Sequence, residues 1–328
     1  MKETDILDLP ATRKNLLQLA RNGLLDLRAF ERSLKIIGDT PNASNWNRFL
    51  NILLLVLGAG LSVSGIFFFF AYNWAGMHRF VKLGIVEVLI LLMVFAVSQL
   101  SLDKLPGKIT LTVAGLFIGV LLAVFGQVYQ TGADSYRLFL AWTILMAGWV
   151  FISKFIPMWF IWALLINTTL FLYLNQIVGL DDSVYLWMFC TNGIFVLAWE
   201  FGLDRQLDWL TSRWPLRLLS LIVFYAITAP PVIIIFDGER TPELFIMSAL
   251  FVVVNSAVIY IYSWEIPDMF MLTLSMASLM VVMNTWLVDN IHVGDFTSLL
   301  IGVFIIAQTA LGLTFLLWVS KSRNARNK

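Results

Sequence analysis

Glu87 stands within an apolar run from about Phe80 to Leu100. An ionisable side chain in such a run is costly in lipid, which makes it a functional candidate by default. Seven residues into the run, it lies roughly 10 Å along a helix axis at about 1.5 Å per residue. Tyr72, Asn73, Arg79, Lys82, Gln127, Tyr129, Asp134, Arg137 and Trp142 are expected near the same depth. A carboxylate, guanidinium and amide groups and aromatic rings at one level can bind a polar ligand or handle a proton. They can equally hold helices together, with Glu87 paired to Arg137 or bonded to Gln127. A second polar set lies deeper: Asn167, Asn192, Asn255, Asn284 and Gln308, one to a helix and near mid-span. Each amide needs a partner, so these faces point inward, either as interhelical bonds or as a polar transport path.

Other chemistry has little to work with. Cys190, His78 and His292 are too few and too scattered for a metal-ligand cluster, and a single cysteine forms no internal disulfide. No Ser/His/Asp or Cys/His arrangement and no glycine-rich phosphate loop is present. Asp181 and Asp182 read as a solvated turn. The sequence therefore predicts no enzyme, no metal and no cofactor.

These residues must be positioned by helices in a bilayer. The 328 residues are 59% hydrophobic and 13% charged, against about 45–50% and about 25% in soluble domains. A span needs about 20 apolar residues. Nine intervals contain no Asp, Glu, Lys or Arg, the first between Arg48 and Arg79 and the last between Asp295 and Lys321. The Phe80–Leu100 run supplies a tenth span. The interval from Arg137 to Lys154 is short and turns tightly at Ile156-Pro157, while Pro230-Pro231 should kink the seventh span or end its helix early. Tyr72, Trp74, Tyr129, Tyr136 and Trp159 fall at span ends, as interfacial belts require. Gly58, Gly60, Ser62, Ser64 and Gly65 give the first span a small face suited to close helix contact, and the Phe67–Phe70 run reads as lipid- or core-facing bulk.

With the N-terminus in the cytoplasm, the inner segments carry 18 Lys and Arg and the outer loops four. That bias favours both termini inside, which requires an even number of spans. The reading is an all-α polytopic bundle of about ten transmembrane helices. It divides into a cytoplasmic hairpin and linker (1–48), a first group of four helices (49–153), six further helices (154–320) and a basic tail (321–328). No cleavable signal peptide is expected, because residues 1–48 hold no apolar h-region.

Residues 12–38 read as two short helices. Leu16, Leu19 and Ala20 share one face, Asn22-Gly23 stops the first helix, and Asp26 caps a second that carries Leu27, Phe30, Leu34 and Ile37. Eight basic and six acidic residues in the N-terminal region make no basic face for phosphates, so the hairpin is not expected to bind nucleic acid. It packs on itself or docks a partner.

Three stretches carry a resemblance: Gly23-Leu24-Leu25-Asp26 leading to Phe30-Glu31-Arg32; Phe70-Ala71-Tyr72-Asn73-Trp74 with Phe80-Val81-Lys82-Leu83-Gly84; and Gly126-Gln127-Val128-Tyr129-Gln130-Thr131-Gly132-Ala133-Asp134 running to Leu138-Phe139. They resemble the predicted bacterial membrane proteins of the domain of unknown function 2157 family, most densely over residues 12–150. Weaker echoes follow at Ala198-Trp199-Glu200 and Arg213-Trp214-Pro215. Relatives usually show Ile at Leu25. The resemblance implies a bacterial inner membrane and a partner membrane protein of the GDYXXLXY type, and no assigned chemistry.

A shift of 55 residues lays Gly60-Leu61 on Gly115-Leu116 and Lys82-Leu83 on Arg137-Leu138, a match that a duplicated helix pair and chance likeness between apolar helices explain equally well. Two functions fit the sequence: an accessory or scaffold subunit of a membrane complex, or a transporter or small-molecule binder using the Glu87 level.

Overall fold

The computed structural model describes residues 11–38, 43–73, 76–130, 132, 134–266, 268–290 and 295–326. Much of the expected linker, Trp74, Thr131, Ala133, His292 and the Asn73 side chain lie outside the described residues. Helices account for almost all regular structure, and ten are long and apolar enough to cross a bilayer. Packing divides the chain into a unit ending at His78 and a unit beginning at Arg79.

The first unit holds α1 (Arg13–Arg21), α2 (Leu27–Ile36) and α3 (Ala43–Asn73). Thr12 caps α1 by accepting from the Asn15 amide at 3.4 Å, and Asp26 caps α2 by accepting from Ala29 at 2.5 Å. Gly23, at φ +71°, makes the reversal between them, because the left-handed region costs glycine nothing. On α3 the Ser62 hydroxyl donates to the Gly58 carbonyl at 2.7 Å, so this small-faced stretch satisfies its own polar group.

The second unit is a chain of antiparallel helices: α4 (Arg79–Leu100), α5 (Leu105–Tyr129), α6 (Ser135–Ser153), α7 (Ile156–Tyr173), α8 (Ser183–Asp204), α9 (Trp214–Phe236), α10 (Pro242–Trp264), α11 (Met269–Asn290) and α12 (Asp295–Arg326). Short connections make sequence neighbours into packing neighbours. The reversal at Ile156-Pro157 is as tight as expected: Lys154 is left-handed and the Phe155 amide donates to Ser153 Oγ at 3.2 Å. One core joins α4 to α7 through Val97, Leu111, Met146, Val150, Met158 and Leu165. Close approach there depends on Gly119, since a Cβ at that position would sit 2.5 Å from the Trp142 ring. A larger core gathers α8 to α12 around α9, which contacts α7, α8, α10 and α11.

Pro230 and Pro231 do not end α9, which runs unbroken to Phe236. Two prolines in succession remove the amides that would serve the Ala226 and Ile227 carbonyls. Such gaps are tolerated in a membrane helix when neighbouring helices cover them; both prolines are buried. Thr228 braces this stretch by bonding the Phe224 carbonyl and the Ser278 hydroxyl, each at 2.6 Å. At the far end of α7 the helix widens to a π-type turn over Leu174–Val178. Gln176 there accepts from the Tyr136 amide at 3.2 Å, satisfying a first-turn donor of α6.

Candidate functional site

Two cavities flank the last turns of α5. The first, about 510 Å³, is lined by Phe80, Leu83, Gly84 and Glu87 of α4 and by Leu121, Leu122, Phe125 and Tyr129 of α5. Both sets follow the three-to-four spacing of a single helix face. The second cavity, about 720 Å³, lies between α5 and α6 and includes Gln127, Gln130, Asp134, Ser135 and Arg137. Leu122 and Phe125 line both, so α5 is the wall between them.

Glu87 and Arg137 thereby line different cavities on adjacent faces of α5, and the expected pair between them is not made. Arg137 Nε lies 3.8 Å from Asp134 Oδ2 instead, and it donates to the Tyr136 hydroxyl at 3.3 Å. The local pairing wins because residues three apart at a helix start are neighbours without any tertiary placement. Gln127 faces the second cavity, also away from Glu87. Glu87 is exposed and has no hydrogen bond or ion pair among the described residues. Arg79 lies over the Phe80 ring at 5.1 Å, and Lys82 is partly buried on α4. Trp142 belongs to neither cavity: its Nε1 donates to the Gly115 carbonyl at 2.9 Å, fastening α6 to α5. Tyr72 is exposed on α3, in the other unit. Of the residues expected at one depth, the structure thus joins Glu87 with Tyr129 and, separately, Gln127 with Asp134 and Arg137.

The amides divide differently. Asn167 and Asn192 exchange reciprocal Nδ2–Oδ1 bonds of 3.0 and 2.8 Å between α7 and α8. Each also donates to the carbonyl four residues back, Ala163 and Met188. Asn255 accepts from Ser275 Oγ at 2.7 Å, joining α10 to α11. These three amides are interhelical fasteners. Asn284 Oδ1 and both polar atoms of Gln308 are buried and unpartnered among the described residues. A Cβ at Gly312 would lie 2.8 Å from Met280 Cε. Asn284 and Gln308 are each one turn from that contact, in the same direction along the antiparallel α11 and α12.

The densest polar constellation among the described residues lies where α8 ends and α9 begins, built from charges that read in the sequence only as marks of span ends. Asp268, just before α11, is fully buried. Its Oδ2 accepts from Arg213 Nε at 2.9 Å and Arg217 Nε at 3.1 Å, while its Oδ1 caps α11 at the Phe270 amide, 3.0 Å away. Glu200 at the end of α8 accepts from Arg213 and, at 2.5 Å, from the Tyr262 hydroxyl of α10. Arg323 of α12 donates to the Ile266 carbonyl at 3.0 Å and also to the Tyr262 carbonyl. Trp199 Nε1 donates to the Ser212 carbonyl at 3.1 Å. Five helices therefore meet in one network. Its signal in the sequence was the recurrence of opposite charges at successive span ends on one side, at Glu200, Arg213, Arg217 and Asp268.

The arrangement fits helix fastening better than catalysis: the buried acids are committed to guanidinium, hydroxyl and amide donors. No group of three or more His, Cys, Asp or Glu suited to a metal occurs among the described residues. Residues 17–159 match the family model described as predicted membrane protein (DUF2157), the family its motifs resemble. No curated protein and no solved structure matches the chain.

Proposed function

We propose that this predicted membrane protein of the DUF2157 family is an accessory or scaffold subunit of a membrane complex, seated in a bacterial inner membrane with both termini cytoplasmic. The observation that carries the reading is the state of the α1–α2 hairpin. Leu24, Leu27 and Ile36 are 60%, 82% and 84% exposed, and within the two helices only Leu16 is buried. Apolar side chains on a small polar hairpin, rimmed by charges, mark an interaction surface. The committed charge network of α8–α12 supports the same reading, since it stiffens a membrane-embedded body for the hairpin to serve. The partner expected from the family resemblance is a second membrane protein of the GDYXXLXY type. Purification in mild detergent tests the proposal. The full chain should bring down a stoichiometric membrane partner, and a chain lacking residues 11–38 should insert normally but lose it. A full chain that purifies alone would remove the scaffold reading.

A second reading rests on Glu87. An exposed carboxylate without a partner among the described residues, opening onto a cavity with Tyr129, suits a small-molecule binder or transporter. On this reading a bound solute raises the melting temperature of the native protein and not that of Glu87→Gln.

A further inference from the structure

We infer that the cavity between the end of α5 and the start of α6 seats the headgroup of a phospholipid carrying both a phosphodiester and a primary ammonium, a phosphatidylethanolamine. Its depth suits a lipid. α5 ends at Tyr129 and α6 begins at Ser135, and Tyr129 and Tyr136 stand at the level where aromatic side chains meet headgroups. The floor is apolar, built by Leu122, Phe125, Leu138 and Phe139, and the volume of about 720 Å³ lies in the range of ligand sites. The rim is polar and carries one charge of each sign.

Those charges are only loosely paired with each other. Arg137 Nε and Asp134 Oδ2 are 3.8 Å from each other, with side chains 63% and 45% exposed, beyond the roughly 2.7–3.2 Å of a hydrogen bond. Asp134 precedes α6 yet its carboxylate caps no amide there. The Tyr136 hydroxyl and ring hold the guanidinium, which leaves its terminal amino groups directed to no other partner among the described residues. A phosphate accepts from such a fork in bidentate fashion, while the ammonium of the same headgroup donates to Asp134. A purely anionic headgroup meets Asp134 with like charge, and a quaternary ammonium has no N–H to give. The charge pair therefore selects the primary-amine zwitterion, and this holds independently of whether the Glu87 cavity takes a ligand.

The test uses the full chain in nanodiscs of equal phosphatidylethanolamine, phosphatidylglycerol and phosphatidylcholine, followed by native mass spectrometry of the lipids retained. The expected result is one phosphatidylethanolamine per chain. Asp134→Asn and Arg137→Gln should each lower its retention at least ten-fold, and Asp134→Glu should restore it. Asp134→Asn should also turn the residual preference toward phosphatidylglycerol. Glu87→Gln should leave retention unchanged, which separates this site from the second reading. A phosphatidylethanolamine with a photoreactive group on its first acyl carbons should label peptides within 121–141. Equal retention of the three lipids, a native preference for either of the others, retention that survives both variants, or labelling confined elsewhere would each overturn the inference.

Discussion

Two polar regions of the second unit differ in what their charges do. At the α8–α9 turn, Glu200, Asp268, Arg213, Arg217, Tyr262 and Arg323 sit among five helices and are bound to one another or to carbonyls. Around the end of α5, Glu87 has no partner among the described residues, and Arg137 keeps the Tyr136 hydroxyl and a loose contact with Asp134. Burial of the acids is the physical difference, with Asp268 and Glu200 inside and Asp134 and Glu87 exposed. A charge removed from water requires a partner, whereas an exposed one is solvated by water or headgroups at small cost. The first region is consequently bound up with stability, and the second is left open to its surroundings.

The largest effect should come from breaking the buried network. Asp268→Ala leaves Arg213 and Arg217 facing each other without their shared acceptor and strips α11 of its cap. Removing one member of a buried pair costs about 3–5 kcal/mol, so unfolding in detergent should shift to clearly lower temperature or denaturant. An unchanged midpoint would mean that the network contributes little, and the contrast between the two regions would collapse.

A smaller effect should follow at the amide pair. Asn192→Leu strands the Asn167 amide between α7 and α8 and should cost about 1–2 kcal/mol, the upper range for interhelical hydrogen bonds in membranes. Asn167→Leu combined with Asn192→Leu removes both polar groups at similar volume and should recover most of the loss. Additive losses in the double variant would show that the two amides do not act as a pair.

The smallest effect sharpens the comparison from its open side. Glu87→Gln should change stability by no more than about 0.5 kcal/mol, as exposed substitutions usually do. Combined with Arg137→Gln it should be additive within about 0.5 kcal/mol, because the two residues line different cavities and make no bond to each other. A coupling above that would return Arg137 to Glu87 as its partner.

The spans were legible in the sequence because lipid forbids unpaired charge, so charge-free intervals such as Arg217–Asp237 mark helices directly. Local signals were also readable: Asp26 caps α2, Asn22-Gly23 ends α1, and Asn167, Asn192 and Asn255 face other helices. Rotation of the helices was not legible. A membrane helix is apolar on its lipid face and its protein face alike, so no periodicity revealed that Glu87 and Arg137 line different cavities. The Asp268 network escaped for a related reason. The bonds from Asp268 to Arg213 and Arg217 join residues 55 and 51 positions apart, and a charge at a span end reads the same whether it meets water or another helix. Of the two outcomes expected at the double proline, the early end does not occur, because the neighbours that cover the gap make up for the missing amides.

The unequal lengths of α5 and α6 bear on the membrane itself. These neighbours have 25 and 19 residues, or about 37 Å and about 28 Å at 1.5 Å per residue. A bilayer cannot match both along one seam, so it thins beside α6 or α5 tilts, each at a modest cost in elastic energy per ångström of mismatch. Lipids with shorter acyl chains relieve that deformation. The protein should accordingly gather such lipids along the α6 side and favour thinner patches of the membrane.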